Sequence, residues 1–294
     1  MDYARSTSVL LILCASFMVS MATPTCVNPV TTFDPLVQYF PQNSRLVATD
    51  LGLEGGEQTN TDSATVQFAE LFEVTYYNHY KVVKTRVPGK ASREYVLYQC
   101  GTPKPESDTF WSNATFFRVP ISKAATGGSI PAAFMEDLGL DHRLHVVDGA
   151  SISSSCILKQ TSVCEGITHI SMGTTTWPDY NPNEAMMSWR TELENNDEIG
   201  AVFTDSFDTG ASKSDKDVEF DASLDKGVLK TAEWLKFVSL FFNAEAKANE
   251  VFQDEINQVE AIRKTVADGV GEKLKVAWAS ASSLYGNVIY GTEY

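Results

Sequence analysis

The chain has 294 residues, of which 43% are hydrophobic, enough for one large domain or two ordinary domains with a true core. This composition excludes disorder as the default state. The formal net charge of −15 argues against nucleic acid and against an anionic membrane surface as partners.

The first 22 residues predict a secretory signal peptide. Arg5 is followed by an apolar run at residues 9–19 and by small residues at 20–22 that are typical of a cleavage site. No later stretch reaches ~18 uncharged apolar residues, so we expect no further membrane segment. The mature protein is therefore expected to be secreted, periplasmic or extracellular, by either a bacterial or a eukaryotic route.

Four cysteines remain after the signal, an even number in an oxidising compartment. We expect two disulfides, for which three pairings are possible. Cys156 and Cys164 would close a short loop, and Cys26 would then join the mature N-terminus to Cys100. A metal site built from these cysteines is disfavoured because no CxxC spacing is present. Asn113 opens an Asn-Ala-Thr acceptor sequence for N-glycosylation in a eukaryotic host.

The first half of the mature chain reads as strands. Residues 74–87 and 94–99 are rich in β-branched and aromatic side chains and flank a Pro-Gly turn, which predicts a β-hairpin. Alternation along the first of these strands would place Tyr76 and Tyr80 on one face.

A strand, helix, strand order follows. Residues 116–121 predict a strand, residues 122–140 a short helix beginning at Ser129 and ending at Gly139, and residues 144–147 another strand. A further strand is expected at residues 199–203. Alternation of strands and helices indicates an α/β layer structure.

Residues 231–268 predict one amphipathic helix. Apolar residues recur every three or four positions while Glu and Lys fill the other face, and Gly269 and Gly271 supply a stop. At ~1.5 Å per residue this helix would run about 50 Å, so it would bridge two bodies or brace a sheet. Its aromatic residues are interpreted as core packing. A last strand is predicted at residues 274–279, and the residues after it are not expected to build a sheet.

The negative charge is concentrated between residues 192 and 225, where eleven acidic residues stand against two lysines. A solvated acidic loop is the favoured interpretation. The alternative is a calcium site, because four acids alternate and would face one way on an extended chain. They are Asp215, Asp217, Glu219 and Asp221.

Catalytic constellations are missing from the sequence. No GxSxG motif occurs, and the HxxH spacing of His142 and His145 enters a strand, where residues three apart face opposite sides. We therefore expect a protein that is not an enzyme, with no metal and no cofactor.

Two stretches are candidate ligand-binding sites. Gly127, Gly128 and Ser129 precede the predicted short helix, so their N–H groups are placed to meet an anionic ligand; the alternative is a turn in which Ser129 caps the helix. The second stretch holds two aromatic residues and an acid in an irregular segment, suited to a bulky siderophore or a corrin ring. Its members are Trp177, Asp179 and Tyr180.

The order of these pieces resembles a known family, the substrate-binding proteins of iron-siderophore and cobalamin ABC uptake systems. The resemblance rests on FEVTYYNHYKVV with YVLYQCGTPKP, on VPISKAATGGSIPAAFMEDLGL, and on IGAVFTD preceding KTAEWLKFVSLFFNAEAKANEVF. It covers most of the mature chain, although no stretch is diagnostic by itself.

The resemblance implies two α/β lobes joined by one long helix. It divides the chain into a signal at 1–22, a periplasmic-binding-protein-like first lobe at 23–229, a long connecting helix at 230–268, and the first strand of a truncated second lobe at 269–294. The implied function is capture of an iron-siderophore, a cobalamin-like compound or a similar bulky small molecule for delivery to a membrane transporter or receptor. The alternative is a secreted interaction or structural scaffold that retains the lobe without ligand capture.

Overall fold

We analysed a computed structural model of the chain, which describes residues 33–47, 63–64, 66–106, 114–148, 152–162, 167–170, 193, 196–204, 214–269, 277–282 and 286–291. Helices and parallel strands are mixed, in agreement with the α/β class expected from the sequence. None of the helices in these ranges is long and apolar enough to cross a membrane.

The first sheet has five strands in chain order, 1-2-3-4-5. Neighbours pair antiparallel except for the last pair, which is parallel. The strands are β1 (Ser63–Ala64), β2 (Phe72–Tyr76), β3 (Tyr80–Thr85), β4 (Arg93–Gln99) and β5 (Thr115–Val119).

The second sheet is wholly parallel, with strand order 10-9-6-7-8. The strands are β6 (Ala124–Thr126), β7 (Leu144–Asp148), β8 (Thr168–Ile170), β9 (Ala201–Thr204) and β10 (Asp217–Glu219). Along the chain, helix α1 (Ser129–Asp137) connects β6 to β7, and helix α2 (Ser155–Ser162) lies between β7 and β8. The short helix predicted at Ser129 is therefore confirmed.

The strand predicted over residues 74–87 is wrong as a single element, because the chain reverses between β2 and β3. The Tyr77 N–H donates to the Tyr80 carbonyl (2.8 Å) across a turn that contains Asn78, a residue type that favours turns. Tyr76 is consequently buried, whereas Tyr80 is half-buried and stacks on Tyr77, so the predicted common face of Tyr76 and Tyr80 is not observed.

The single helix predicted over residues 231–268 is also wrong: two helices occupy this region. Helix α3 (Val228–Leu240) and helix α4 (Glu245–Gly269) are separated by a break at which Asn243 takes a left-handed conformation (φ 54°). Phe252 and Ile256 of α4 pack on Leu229 at the start of α3, so the chain doubles back. Periodicity did not reveal the break because both helices keep their apolar spacing across it.

Helix α3 forms the centre of the core, and every residue from Glu233 to Leu240 is buried. Trp234 of this helix lies edge-on to Phe72 of β2, with 5.0 Å between ring centroids. Phe241, the residue directly after the helix, contacts Phe203 of β9, with 5.3 Å between ring centroids. Both sheets therefore share one hydrophobic core around this helix. The predicted packing role of the aromatic residues is confirmed.

The second half of α4 leaves this core. After Ile256, every described side chain is exposed except the half-buried Val259. Ile262 and Val266 are 64% and 56% exposed. The helix ends at Gly269, as predicted.

The C-terminal residues form more structure than expected. Strand β11 (Ala277–Ser282) pairs antiparallel with β12 (Gly286–Gly291), so the residues after the predicted strand do build a small sheet. The strand predicted at 274–279 overlaps β11 only in part, and residues 270–276 lie outside the described residues.

The acidic segment is not simply a solvated loop. Glu219, Asp221 and Asp225 are buried, with 8%, 0% and 2% exposure. Sequence reasoning missed this because a high local charge usually indicates a solvated surface.

Candidate functional site

The parallel sheet has a topological switch point between β6 and β9. From β6 the chain proceeds through α1 to β7 on one side, whereas β9 is followed by β10 on the other side. In open α/β sheets, ligands bind outside the carboxyl ends of the strands at such a point, because the diverging connections leave a crevice there. Residues 127–129 follow the carboxyl end of β6, so the sequence-predicted site lies at the switch point.

Hydrogen bonds fix the loop that begins α1. The Gly127 N–H donates to the carbonyl of Phe203 in β9 (3.0 Å). The Gly128 N–H donates to Thr126 Oγ1 (3.1 Å), and the Thr126 hydroxyl donates to the Gly128 carbonyl (2.7 Å). Two of the N–H groups expected to face a ligand thus hold the loop in place. Thr126, which sequence reasoning did not single out, is the residue that organises it.

The donors at this site are the first-turn N–H groups of α1. Gly128 is the residue before the helix and supplies no side-chain cap, so the interpretation of Ser129 as the cap is wrong. Ser129 and Ile130 are the first two helical residues, and such N–H groups have no acceptor within their own helix. The positive end of the helix dipole adds to their attraction for an anion.

Two buried polar residues end the strands on either side of β6, at the same edge of the sheet. Asp148 is the last residue of β7 and is 2% exposed, and Thr204 is the last residue of β9 and is 5% exposed.

The remaining predicted site residues lie outside the described residues. They are Trp177, Asp179, Tyr180, Asn113, Cys26 and Cys164.

The disulfide prediction is left open. Cys100 is buried beyond the end of β4, and Cys156 is exposed on α2. Their proposed partners, Cys26 and Cys164, are outside the described ranges, so the pairing stays a prediction.

The described residues do not form a metal site at the histidines or at the alternating acids. The Arg143 Nε donates to His142 Nε2 (3.2 Å), while His145 Nε2 lies 3.7 Å from Glu198 Oε2. Lys123, which forms a salt bridge with Glu198, lowers the pKa of that carboxyl group. Within the described part of the chain, no group of three or more His, Cys, Asp or Glu residues is arranged to hold a metal ion.

Two buried carboxylates bind a run of backbone N–H groups before β2. Glu233 accepts hydrogen bonds from the N–H groups of Gln67, Phe68 and Ala69 (2.6–3.0 Å). Asp225 Oδ2 accepts from the next two N–H groups, at residues 70 and 71 (2.9 and 3.2 Å), and from the indole N–H of Trp234 (3.0 Å). These hydrogen bonds hold residues 67–71 against the start of the α3 region, so Glu233 and Asp225 have a structural role.

A buried ion pair lies at the break between α3 and α4. Lys81 of β3 pairs with Glu245 at the start of α4, and the side chains are 0% and 1% exposed. Burial lowers the pKa of Lys81 and raises the pKa of Glu245, and in each case the partner's charge opposes the shift. Perturbed ionisable groups often mark functional sites, but this pair is sealed from solvent and serves the helix break.

The break itself is held by side-chain hydrogen bonds. Lys81 Nζ donates to Asn243 Oδ1 (3.1 Å), and Asn243 Nδ2 donates to Gln99 Oε1 (2.9 Å). The hydroxyl of Tyr76 donates to Glu245 (3.3 Å), and burial raises the pKa of that phenol. This network connects the first sheet to the point where the chain turns into α4.

Comparison with known proteins does not assign the chain to a family. No family model matches the sequence, and no curated protein matches it.

Proposed function

We propose that this chain is a secreted, non-enzymatic solute-binding protein that captures a bulky ligand, such as a ferric siderophore or a cobalamin-like compound. Capture occurs at the carboxyl edge of the parallel sheet, where the first turn of α1 receives an anionic group of the ligand. The bound solute is then delivered to a membrane transporter or receptor.

The observation that carries this proposal is the coincidence of a switch point with the N-terminus of α1. The diverging connections of β6 and β9 give a crevice, and the first-turn N–H groups of α1 give donors at its edge. Strand order and helix polarity thus favour the same place for an anionic ligand.

Preorganisation gives a second line of support. Thr126 and the Phe203 carbonyl fix the loop through three hydrogen bonds before any ligand arrives. A binding loop that is already ordered loses less conformational entropy on association, so more of the contact energy contributes to affinity.

The family resemblance supports the same class. In that family a long helix joins the ligand-binding lobe to a second lobe. In this chain, residues 257–269 form the second half of α4 and extend away from the core. They are the part of the predicted long helix that could connect two lobes.

A second candidate function, an interaction scaffold without ligand capture, is favoured by one observation. Ile262 and Val266 are large apolar side chains, four positions apart on one face of α4, and both are mainly exposed. Apolar residues displayed in this way are typical of helices that bind a protein partner.

A ligand titration separates the two candidates. The protein is titrated with a ferric catecholate, a ferric hydroxamate and cobalamin while tryptophan fluorescence and melting temperature are recorded. Saturable binding with a raised melting temperature supports the solute-binding proposal. Absence of binding to all three would refute it and leave the scaffold.

The site is tested by two substitutions at one position. Ser129→Pro removes one N–H donor, and proline is well accepted at the first position of a helix after an extended residue such as Gly128 (φ −134°, ψ 157°). A hydrogen bond to a charged group contributes ~1.5–3 kcal/mol, so Ser129→Pro should weaken binding about tenfold or more. The control Ser129→Ala keeps the N–H and should bind as the parent does. Equal affinities for the two variants would contradict the site.

A further inference from the structure

A second pocket, separate from the edge of the parallel sheet, lies at the turn between β2 and β3. The turn residues 76–80 form one wall, and Pro35, Gln38 and Arg45 form the other. Its volume is about 340 Å³, at the lower end of the range found for small-molecule sites. The proposed function does not use this pocket.

The pocket has an aromatic wall with a fixed orientation. The rings of Tyr77 and Tyr80 are stacked, with 4.5 Å between centroids and an angle of 14° between planes. His79 meets Tyr80 edge-on at 5.0 Å and meets Phe33 in the same way at 4.9 Å. Tyr77 remains 40% exposed, so it presents a flat apolar surface toward solvent.

A network of polar groups joins the two walls. Gln38 Nε2 donates to Asn78 Oδ1 (2.6 Å), and the guanidinium of Arg45 donates to Gln38 Oε1 (2.7 Å). Asn78 Nδ2 donates to the carbonyl of Pro35 (2.7 Å), and Arg45 Nε donates to the carbonyl of Phe40 (2.8 Å). The amides of Gln38 and Asn78 are therefore oriented by the protein. A side-chain amide can donate and accept more hydrogen bonds than these contacts occupy.

The electrostatic character of the pocket differs from that of the chain. The net charge of the chain is −15, yet the described lining residues include Arg45 and no acid. Burial lowers the pKa of His79, which keeps its imidazole neutral near pH 7. A lining of this kind does not favour a cationic ligand, because cation recognition uses acids or an aromatic cage without a guanidinium.

From these features we infer that the pocket at the β2–β3 turn binds a carbohydrate, with one face of a sugar ring on Tyr77 and its hydroxyl groups on Gln38, Asn78 and Arg45. A sugar ring offers one apolar face and many hydroxyl groups, which match an aromatic surface beside oriented amides. A purely aromatic ligand fits less well, because the polar side chains of Gln38, Asn78 and Arg45 line the pocket beside the tyrosines.

The test is a titration of the full mature chain with a panel of neutral and uronate-containing disaccharides of gluco, manno and galacto configuration, at concentrations up to the millimolar range. Binding is measured by calorimetry and by shifts of tyrosine ring signals in NMR. We expect saturable binding of at least one member of the panel. Tyr77→Ala should weaken it about fivefold or more, and Tyr77→Phe, which keeps the ring, should retain most of the affinity.

Gln38→Ala provides an independent arm, since Gln38 is exposed and its removal does not disturb the core. It should also weaken binding, whereas Leu158→Ala, at an exposed apolar residue on α2, should not. Failure of every disaccharide to bind, or binding unaffected by Tyr77→Ala and Gln38→Ala, would overturn the inference. Ser129→Pro should leave sugar binding intact, so failure of this site and failure of the proposed function are distinguishable.

Discussion

Removal of the Glu233 carboxylate should be among the most damaging substitutions in this protein. Glu233 is 0% exposed and accepts hydrogen bonds from three consecutive backbone N–H groups, while it also pairs with Lys236 (2.8 Å), itself fully buried. Glu233→Ala leaves those N–H groups without their acceptor and leaves a buried ammonium without its partner. The substitution therefore affects both the segment before β2 and the central helix.

The size of the effect follows from these contacts. Breaking a buried ion pair by removal of one partner costs ~3–5 kcal/mol. Each buried N–H that loses its acceptor costs ~1–3 kcal/mol, partly offset where water enters. We expect a loss of at least ~4 kcal/mol, a large share of the ~5–15 kcal/mol by which domains are usually stable.

The assay is urea unfolding followed by circular dichroism. Glu250→Ala is the matched control, because Lys247 and Glu250 also form an ion pair three residues apart (2.9 Å), but with 46% and 64% side-chain exposure. An exposed pair contributes little, so this control should remain within about 0.5 kcal/mol of the parent. Glu233→Ala combined with Lys236→Met should recover part of the loss, since the buried ammonium is also removed. The reasoning is refuted if Glu233→Ala costs less than about 1 kcal/mol.

Three further predictions concern the helix break, the turn pocket and the candidate ligand site. Asn243→Ala and Asn243→Gly lose the same side-chain hydrogen bonds, but only alanine is strained at positive φ. In chemical denaturation, the alanine variant should therefore lose about 1 kcal/mol more free energy of unfolding than the glycine variant. Equal losses would contradict the role of backbone strain. Burial lowers the pKa of His79 below 6.5, so the unfolded chain binds the proton more readily than the folded chain. The contribution of neutral His79 to stability should therefore be complete above pH 6.5 and lost as the pH falls through the folded pKa. NMR titration gives that pKa, and His79→Gln should remove the pH dependence. Trp177→Ala and Tyr180→Ala should each weaken a ligand confirmed by titration, and unchanged affinity would remove them from the site.

Local signals in the sequence predicted the elements whose stability is local. The helix that begins at Ser129 and ends before Gly139, and the strands that include Val119, Val147 and Phe203, all follow from propensity and periodicity. The two reversals were missed for the opposite reason. Asn78 and Asn243 each stand within an uninterrupted apolar pattern, and the contacts that fix them come from distant residues, Pro35 in one case and Lys81 with Gln99 in the other.

The candidate site was predictable only in part. Glycines before a helix indicated donors for an anion at residues 127–129, but strand order decides whether such a loop lies at a switch point, and order depends on long-range pairing. The role of Thr126 could have been inferred from a hydroxyl residue two positions before Gly128, a spacing that permits a local side-chain hydrogen bond. The burial of Glu233 and Asp225 carried no sequence signal, because the backbone N–H groups that they bind are more than 150 positions away.

The second half of α4 has a mechanical consequence. Thirteen residues beyond Ile256 make a rod of ~20 Å that is anchored at one end. A change of about 10° in its direction would move its tip by ~3 Å, roughly one side-chain contact, whereas the core at its base would barely shift. The direction of the rod is set where Asn243 turns the chain back along α3. A single left-handed residue, held by Lys81 and Gln99, therefore sets the direction of residues 257–269.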